Sequence, residues 1–137
     1  MITNSLRRNS KIICLALVPV LTFGSFGCGK TEVVLSGGKP VSHWVQALQS
    51  PDARSRKKAA FELGNVGPSD PVALPALLAS LEDRDPVVRR EAVLALVKHG
   101  PAASEAVPRL VKLRQSDRDP RVRSYASQAI DKLGGNK

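Results

Sequence analysis

The chain of 137 residues has only two cysteines, Cys14 and Cys28, and both lie near its start. The segment after Cys28 therefore has no disulfide and must depend on its core for stability. Only 4% of the residues are aromatic, which leaves little side-chain surface for stacking on nucleic-acid bases. These shortages exclude a disulfide framework and argue against a nucleic-acid-binding protein.

Side chains suited to catalysis are also few. The two histidines, His43 and His99, have no nucleophile placed beside them by a motif, so we expect both at the surface. No helix face collects converging acids. Asp83 and Asp85 would make a poor calcium loop, since an arginine separates them and the second aspartate suits a helix cap. We expect no enzyme activity, no cofactor and no metal site.

Acidic residues are absent before Glu32. In this part of the chain the basic residues Arg7, Arg8 and Lys11 precede an apolar run from Ile12 to Phe23. The run is short of the ~20 residues that a membrane-spanning helix needs. A basic start followed by an apolar centre of this length is typical of a secretory signal, so we expect an exported protein.

Small residues end this segment and place Cys28 directly after Gly27. The junction resembles the lipobox of bacterial lipoproteins, in which the cysteine is acylated and becomes the first residue of the mature protein. The resemblance implies a signal peptide over residues 1–27 and lipid attachment at Cys28. Residues 28–39 would then be a lipidated cysteine and a flexible tether on a cell-envelope membrane. A signal peptide without lipidation and an uncleaved anchor remain alternatives.

The same segment matches a phosphate-binding loop of the Walker A type from Gly24 to Thr31. Such a loop works because a helix begins at its Lys-Thr pair and directs N–H groups at the phosphates. The residues from Thr31 to Pro40 are too few and too rich in glycine for that helix. We interpret the match as accidental.

The chain beyond residue 40 repeats itself at steps of 33 and 34 residues. The positions that recur share a residue type, and they are Asp52, Asp85 and Asp119; Arg56, Arg89 and Arg123; Leu63, Leu96 and Ile130; and Gly67, Gly100 and Gly134. A period of this size, with apolar residues at helical spacing, is typical of a solenoid of stacked helix pairs. Such units usually form surfaces rather than active sites.

The middle unit shows how each repeat is built. Residues 71–81 predict a first helix, with apolar side chains at i, i+3, i+4 and i+7. Asp85 is a suitable N-cap for the second helix and Pro86 a suitable first residue. This helix should end near His99, where Gly100 can adopt the left-handed conformation. Each unit is therefore predicted to contain two helices.

This pattern resembles HEAT repeats, specifically the short bacterial kind also found in the phycobilisome-lyase-like family. The residues that carry the resemblance run from Asp85 to Arg89 and from Asp119 to Arg123, each followed by an alanine. The resemblance implies an all-α fold, a right-handed α-solenoid of three stacked HEAT-like helix pairs. The implied repeat domain spans residues 40–134, with units at about 40–67, 68–100 and 101–134 and a tail at 135–137. Since Ser127 and Asp131 place polar side chains on the last flank, we expect a complete stack and a monomer.

The recurring arginines have a structural interpretation. Each of them lies four residues after its N-cap aspartate and toward the neighbouring unit. The resemblance implies a ladder of Asp and Arg contacts between units, with the members Asp52, Arg56, Asp85, Arg89, Asp119 and Arg123.

The formal net charge is +9, and part of the excess lies on one exposed arc of the second helices. We call this surface the basic arc; its candidate binding residues are Arg54, Lys57, Lys58, Phe61, Arg90, Leu94, Arg121 and Tyr125. Lys98 and Lys132 lie on it too, and Glu91 is its one acid. In HEAT-like solenoids the second helices line the concave side, so the resemblance makes the arc a candidate site for an acidic protein or peptide. The alternative is a solvated basic face.

Three functions remain. The first is an exported, lipid-anchored interaction scaffold that binds through a basic concave surface. The second is nucleic-acid binding, which the basic arc permits and the export signal disfavours. The third is a bilin lyase or lyase accessory subunit, which the resemblance to the phycobilisome-lyase-like family suggests; that family works in the cytosol, so the signal contradicts it. The first function is our prediction.

Overall fold

The computed structural model describes residues 34–134, which form six α-helices and one small hairpin. The elements in chain order are β1 (Leu35–Ser36), β2 (Lys39–Pro40), α1 (Val41–Ala47), α2 (Ala53–Val66), α3 (Ala73–Ser80), α4 (Pro86–His99), α5 (Val107–Ser116) and α6 (Pro120–Leu133). Short 3-10 segments, Gly67–Ser69 and Gly100–Ala106, follow α2 and α4. The predicted signal peptide, Cys28 and the tail lie outside the described residues. Within residues 34–134, no helix is long and apolar enough to cross a membrane.

Helices that are close in the sequence contact one another. Helix α1 lies against α2, α3 against α4 and α5 against α6, while α2, α4 and α6 contact one another in sequence. The core between them is aliphatic, and its largest fully buried side chains are Leu63, Leu77, Leu81, Leu96, Leu110, Val88, Val93 and Val122. Burial of these side chains is the main favourable term that holds the pairs together.

Aspartate caps begin all three second helices, as predicted. The Asp85 carboxylate accepts the amide of Val87 at 2.8 Å. Asp119 accepts two amides of the first turn of α6, and Asp52 does the same for α2. Helix α2 lacks the proline of the other two, but the Ser55 hydroxyl adds a 2.8 Å bond to Asp52. The three helices therefore start at equivalent positions and present equivalent faces.

The second helix of the middle unit ends at His99, and Gly100 turns the chain. Its φ of +59° is positive, as predicted, but its ψ of −141° lies outside the left-handed helical region. Gly67 has nearly the same conformation after α2, with φ 60° and ψ −153°. Only glycine adopts this region without strain. The turn sends the chain into a 3-10 segment rather than a simple left-handed cap.

Gly64 allows α2 and α4 to approach closely. A Cβ atom built on Gly64 would lie 2.7 Å from the Cβ of Ala95 and 2.8 Å from its Cα. Contacts that short do not occur, so any side chain at this position would force the two helices apart. The close approach brings the exposed faces of the second helices into one surface.

The chain ahead of α1 differs from the prediction. Leu35 pairs with Pro40 and Ser36 with Lys39 in a two-stranded antiparallel hairpin. The Trp44 indole N–H donates to the Ser36 carbonyl at 2.8 Å, and the Ser36 hydroxyl donates to Glu62 of α2 at 2.8 Å. The prediction of a flexible tether over residues 28–39 is therefore wrong for residues 35–39. They are fixed to α1 and α2 by buried and half-buried hydrogen bonds.

The last helix carries a polar outer flank. Val93 of α4 is fully buried, whereas Ser127, its counterpart on α6, is only half-buried. Asp131 is exposed. The described stack thus has a hairpin over one end and polar side chains at the other.

Candidate functional site

Two arginines connect neighbouring helix pairs through paired hydrogen bonds. Arg56 of α2 donates to Asp83 through Nε at 2.8 Å and Nη2 at 2.9 Å. Arg89 of α4 donates to Asp117 through the same two atoms, at 2.8 Å and 2.7 Å. The planar guanidinium matches the two oxygens of a carboxylate, which makes this arrangement strong and directional. These are the two ion pairs of the described residues.

The remaining nitrogen of each arginine holds the loop that precedes its own helix. Nη1 of Arg56 donates to the carbonyls of Ser50 and Pro51, and Nη1 of Arg89 donates to the Asp83 carbonyl at 2.8 Å. Each guanidinium therefore fixes one loop and reaches the next. The two arginines therefore link the loops that precede α2, α4 and α6.

The acids of this ladder are not the ones that the repeat suggested. We expected Asp52, Asp85 and Asp119, but the pairing carboxylates belong to Asp83 and Asp117. The reason is that the N-cap carboxylates already accept amides at the start of α2, α4 and α6. The sequence did contain a pattern that indicates these two acids. Asp83 and Asp117 recur two residues before the caps, and Ser50 replaces them in the first unit, where no preceding arginine needs a partner.

Both ladder acids have altered proton affinity. Burial raises the pKa of Asp83, but the hydrogen bonds from Arg56 and from the Asp85 amide outweigh burial and leave the pKa below its ordinary value. Asp117 shows the same balance, with Arg89 and the Asp119 amide as donors. The carboxylates are therefore ionised near neutral pH, and the ladder is a fixed structural element there.

The third arginine, Arg123, forms no ion pair with any residue from 34 to 134. Nη1 of Arg123 donates to the Asp117 carbonyl at 2.8 Å, as its counterparts do to their own loops. The predicted ladder thus contains two rungs in the described chain, and Arg123 ends it.

The basic arc brings residues of successive helices into contact. The Lys98 ammonium on α4 lies 4.3 Å from the ring centroid of Phe61 on α2, and it donates to Asn65 at 2.9 Å. The Arg90 guanidinium on α4 lies 5.7 Å from the ring centroid of Tyr125 on α6. Both distances are typical of cation–π contacts. The arc is therefore one continuous surface across three helices.

Exposure differs within this surface. Phe61 is 43% exposed and Val87, which also lies on the arc, is 39% exposed. Leu94 and Tyr125 are half-buried, and Tyr125 packs against the core, so they offer less to a partner than we expected. Glu91, the one acid of the arc, is buried, with only 9% of its surface exposed.

The exposed cations of the arc form no ion pair with another described residue. Among them are Arg54, Lys57, Lys58 and Arg121. Lys58 lies above the Trp44 ring at 5.7 Å. Positive charge on this surface is thus left unneutralised around two exposed apolar side chains. The role of these residues in binding stays a prediction.

Comparison with known families decides the fold class. The family model for HEAT repeats matches residues 41–131. This chain belongs to the HEAT-repeat family. A search of curated proteins found no match. The helix pairs, the aspartate caps and the arginine ladder are therefore parts of a HEAT-repeat domain, and HEAT repeats are commonly scaffolds for protein interaction.

His99 has a structural place in this HEAT-repeat domain. We expected it at the surface, but it is 3% exposed, and its Nε2 lies 3.1 Å from the Leu63 carbonyl. The end of α4 packs over α2, and this packing buries His99. The same packing brings its ring next to a carbonyl of α2. His43 is half-buried, with its Nε2 3.2 Å from the Lys39 ammonium. The expectation of surface histidines is therefore wrong for His99.

Proposed function

We propose that this HEAT-repeat protein is an exported, lipid-anchored scaffold that binds an acidic protein segment through the basic arc. Its repeats would form a right-handed solenoid of three helix pairs, with the arc on the concave side. The protein would act as a monomer and without catalytic chemistry. Binding rather than turnover is what a continuous, rigid surface of this kind can perform.

The observation that carries this proposal is the composition of the arc. Phe61 and Val87 are more than one-third exposed, and the cations around them have no acidic partner among the described residues. Solubility alone does not require apolar side chains inside a field of one sign. A partner that places an apolar side chain between acidic groups would satisfy both features.

The two features would have different effects on binding. Exposed cations attract an acidic partner from a distance, so they raise the association rate and make it sensitive to salt. Apolar side chains act only on contact, and they lengthen the lifetime of the complex. Lys98 already lies over Phe61, which holds the ammonium near the ring before a partner arrives and reduces the ordering cost of binding.

A charge reversal on the arc tests the proposal. Lys57→Glu changes an exposed ammonium with no ion pair in the described chain, and it should reduce capture of envelope proteins by about tenfold. Arg114→Glu on α5 makes the same charge change at an exposed position away from the arc and should leave capture unchanged. Equal loss in both variants would mean that net charge, and not the arc, determines binding.

Export and lipidation rest on the basic start, the apolar run and the Gly27–Cys28 junction. Mass analysis of the mature protein should find an acylated Cys28 at its N-terminus. Stable anchoring requires more than one acyl chain, so Cys28→Ser should release the protein from membranes. An unprocessed chain with residues 1–27 still attached would contradict the lipoprotein proposal and favour an uncleaved anchor.

A further inference from the structure

A groove of about 670 Å³ lies between the α3–α4 loop, helix α5 and the α5–α6 loop. Its apolar side chains are Leu81, Leu113, Pro86 and Pro120. It shares no residue with the basic arc, which lies on α2, α4 and α6. The volume is in the range of sites that hold small ligands or short peptide segments.

The acids of this groove are already engaged. Asp83 and Asp117 form the two ladder pairs, and each also accepts an amide two residues further on. The Asp119 carboxylate accepts the amides of Arg121 and Val122. Three of the four acidic side chains that line the groove are therefore neutralised or used as a helix cap, and Glu82 is the fourth.

The bases of the groove are not neutralised in this way. Arg84 donates to the Pro51 carbonyl at 2.8 Å and Arg109 to the Leu78 carbonyl at 3.2 Å. Because the carbonyls are neutral, these hydrogen bonds hold the two guanidinium groups in place without cancelling their positive charge. The side chains of Lys112 and Arg118 are exposed and bond to no other described residue. The groove thus presents four available cations against two carboxylates outside the ladder, those of Glu82 and of the capping residue Asp119.

The equivalent groove at the preceding junction provides an internal comparison. It is smaller, about 490 Å³, and Gln49, Ser50 and Pro51 line it where the larger groove has Glu82, Asp83 and Arg84. Arg84 is its one base outside the ladder. The repeat alone therefore does not produce the cationic groove, which depends on the residues of the second and third units.

We propose that the groove beside α5 binds a short acidic peptide segment that carries an aliphatic side chain. Guanidinium groups recognise carboxylates through paired hydrogen bonds, and the apolar side chains of Leu113 and Pro120, which are not fully buried, would cover the aliphatic one. None of the described residues that line the groove is aromatic, so it offers no surface for stacking a nucleic-acid base. An inorganic anion would use the charges and leave the apolar side chains uncovered.

The test uses the full chain and a synthetic peptide in which acidic residues flank one leucine. Binding should saturate and shift the NMR signals of Lys112 and Leu113. Lys112→Glu with Arg118→Glu should weaken binding by about tenfold or more, since two of four cations are reversed. These side chains bond to no described residue, so helicity and melting should not change. The neutral pair Lys112→Gln with Arg118→Gln should give an intermediate loss.

Two controls separate this site from the basic arc and from general charge attraction. Lys57→Glu with Arg121→Glu reverses two cations of the arc and should leave peptide affinity within about twofold. The same peptide with serine in place of leucine should bind more weakly. Equal loss from both double variants, no saturable binding, or tighter binding of a single-stranded oligonucleotide at the same signals would each overturn the proposal. None of these outcomes depends on capture through the arc.

Discussion

Arg89 and Arg90 are neighbours on α4, and the structure uses them in opposite ways. Arg89 points between helix pairs, where its side chain is 14% exposed and bonds to Asp117, whose side chain is 3% exposed. Arg90 lies on the basic arc over the Tyr125 ring at 5.7 Å and forms no ion pair with a described residue. One arginine holds the stack together, and the other is available to a partner. Residue type alone therefore does not assign a role, because one step along the helix rotates the side chain by about 100°.

The unfolding free energies of Arg89→Ala and Arg90→Ala test this comparison with the largest expected effect. Arg89→Ala leaves the nearly buried Asp117 carboxylate without its guanidinium, which should cost about 3 kcal/mol of unfolding free energy. Arg90→Ala removes a contact between a half-buried guanidinium and the Tyr125 ring and should cost about 1 kcal/mol. Denaturant unfolding of both variants measures the difference, and similar losses would show that the ladder contributes no more than the surface.

The ladder should also lose its effect in acid. Asp83 and Asp117 have folded-state pKa values below the ordinary value, so the unfolded chain binds more protons there than the folded one. Their contribution is present above the ordinary aspartate pKa of about 3.9, and it is lost as pH falls through the lower folded values. Melting temperature should therefore decrease below about pH 4. The double variant Asp83→Asn with Asp117→Asn should lose less over the same range, and an unchanged slope would contradict the assignment.

Replacement of Arg123, which ends the ladder, should reduce the unfolding free energy by a smaller amount. Arg123 holds the Asp117 and Arg118 carbonyls but has no carboxylate among the described residues. Arg123→Ala should therefore cost only about 1 kcal/mol, clearly less than Arg89→Ala at the equivalent position. A loss as large as that of Arg89→Ala would mean that Arg123 has an acidic partner of its own.

The starts of α4 and α6 could be predicted from the sequence, since Asp85 and Asp119 with their prolines act locally. The acid partners of Arg56 and Arg89 could not, because spacing along one repeat does not show which loop a long side chain reaches in the next. The hairpin around Gly37 and Gly38 was missed for another reason. Its strands have two residues each, too few to show a period of two.

Other features arise only from packing between repeats. The burial of His99 depends on α4 covering a carbonyl of α2, and the groove beside α5 is formed by loops of two units. The basic arc is inferred from positions that share one face of each second helix, and its role in binding stays a prediction. Its exposed apolar centre was only partly predicted: Phe61 is exposed, while Leu94 and Tyr125 are half-buried.

The most direct test of the account is partner capture by Arg89→Ala and Arg90→Ala, measured at a temperature where both variants are folded. The account predicts that Arg90→Ala captures less of the proposed acidic partner, with more loss at low salt than at high salt, because a cation of the arc is gone. Arg89→Ala should capture as much as the unchanged protein despite its lower stability. Normal capture by Arg90→Ala, or loss of capture by Arg89→Ala alone, would contradict the division between structural and binding arginines and would move the binding surface away from the arc.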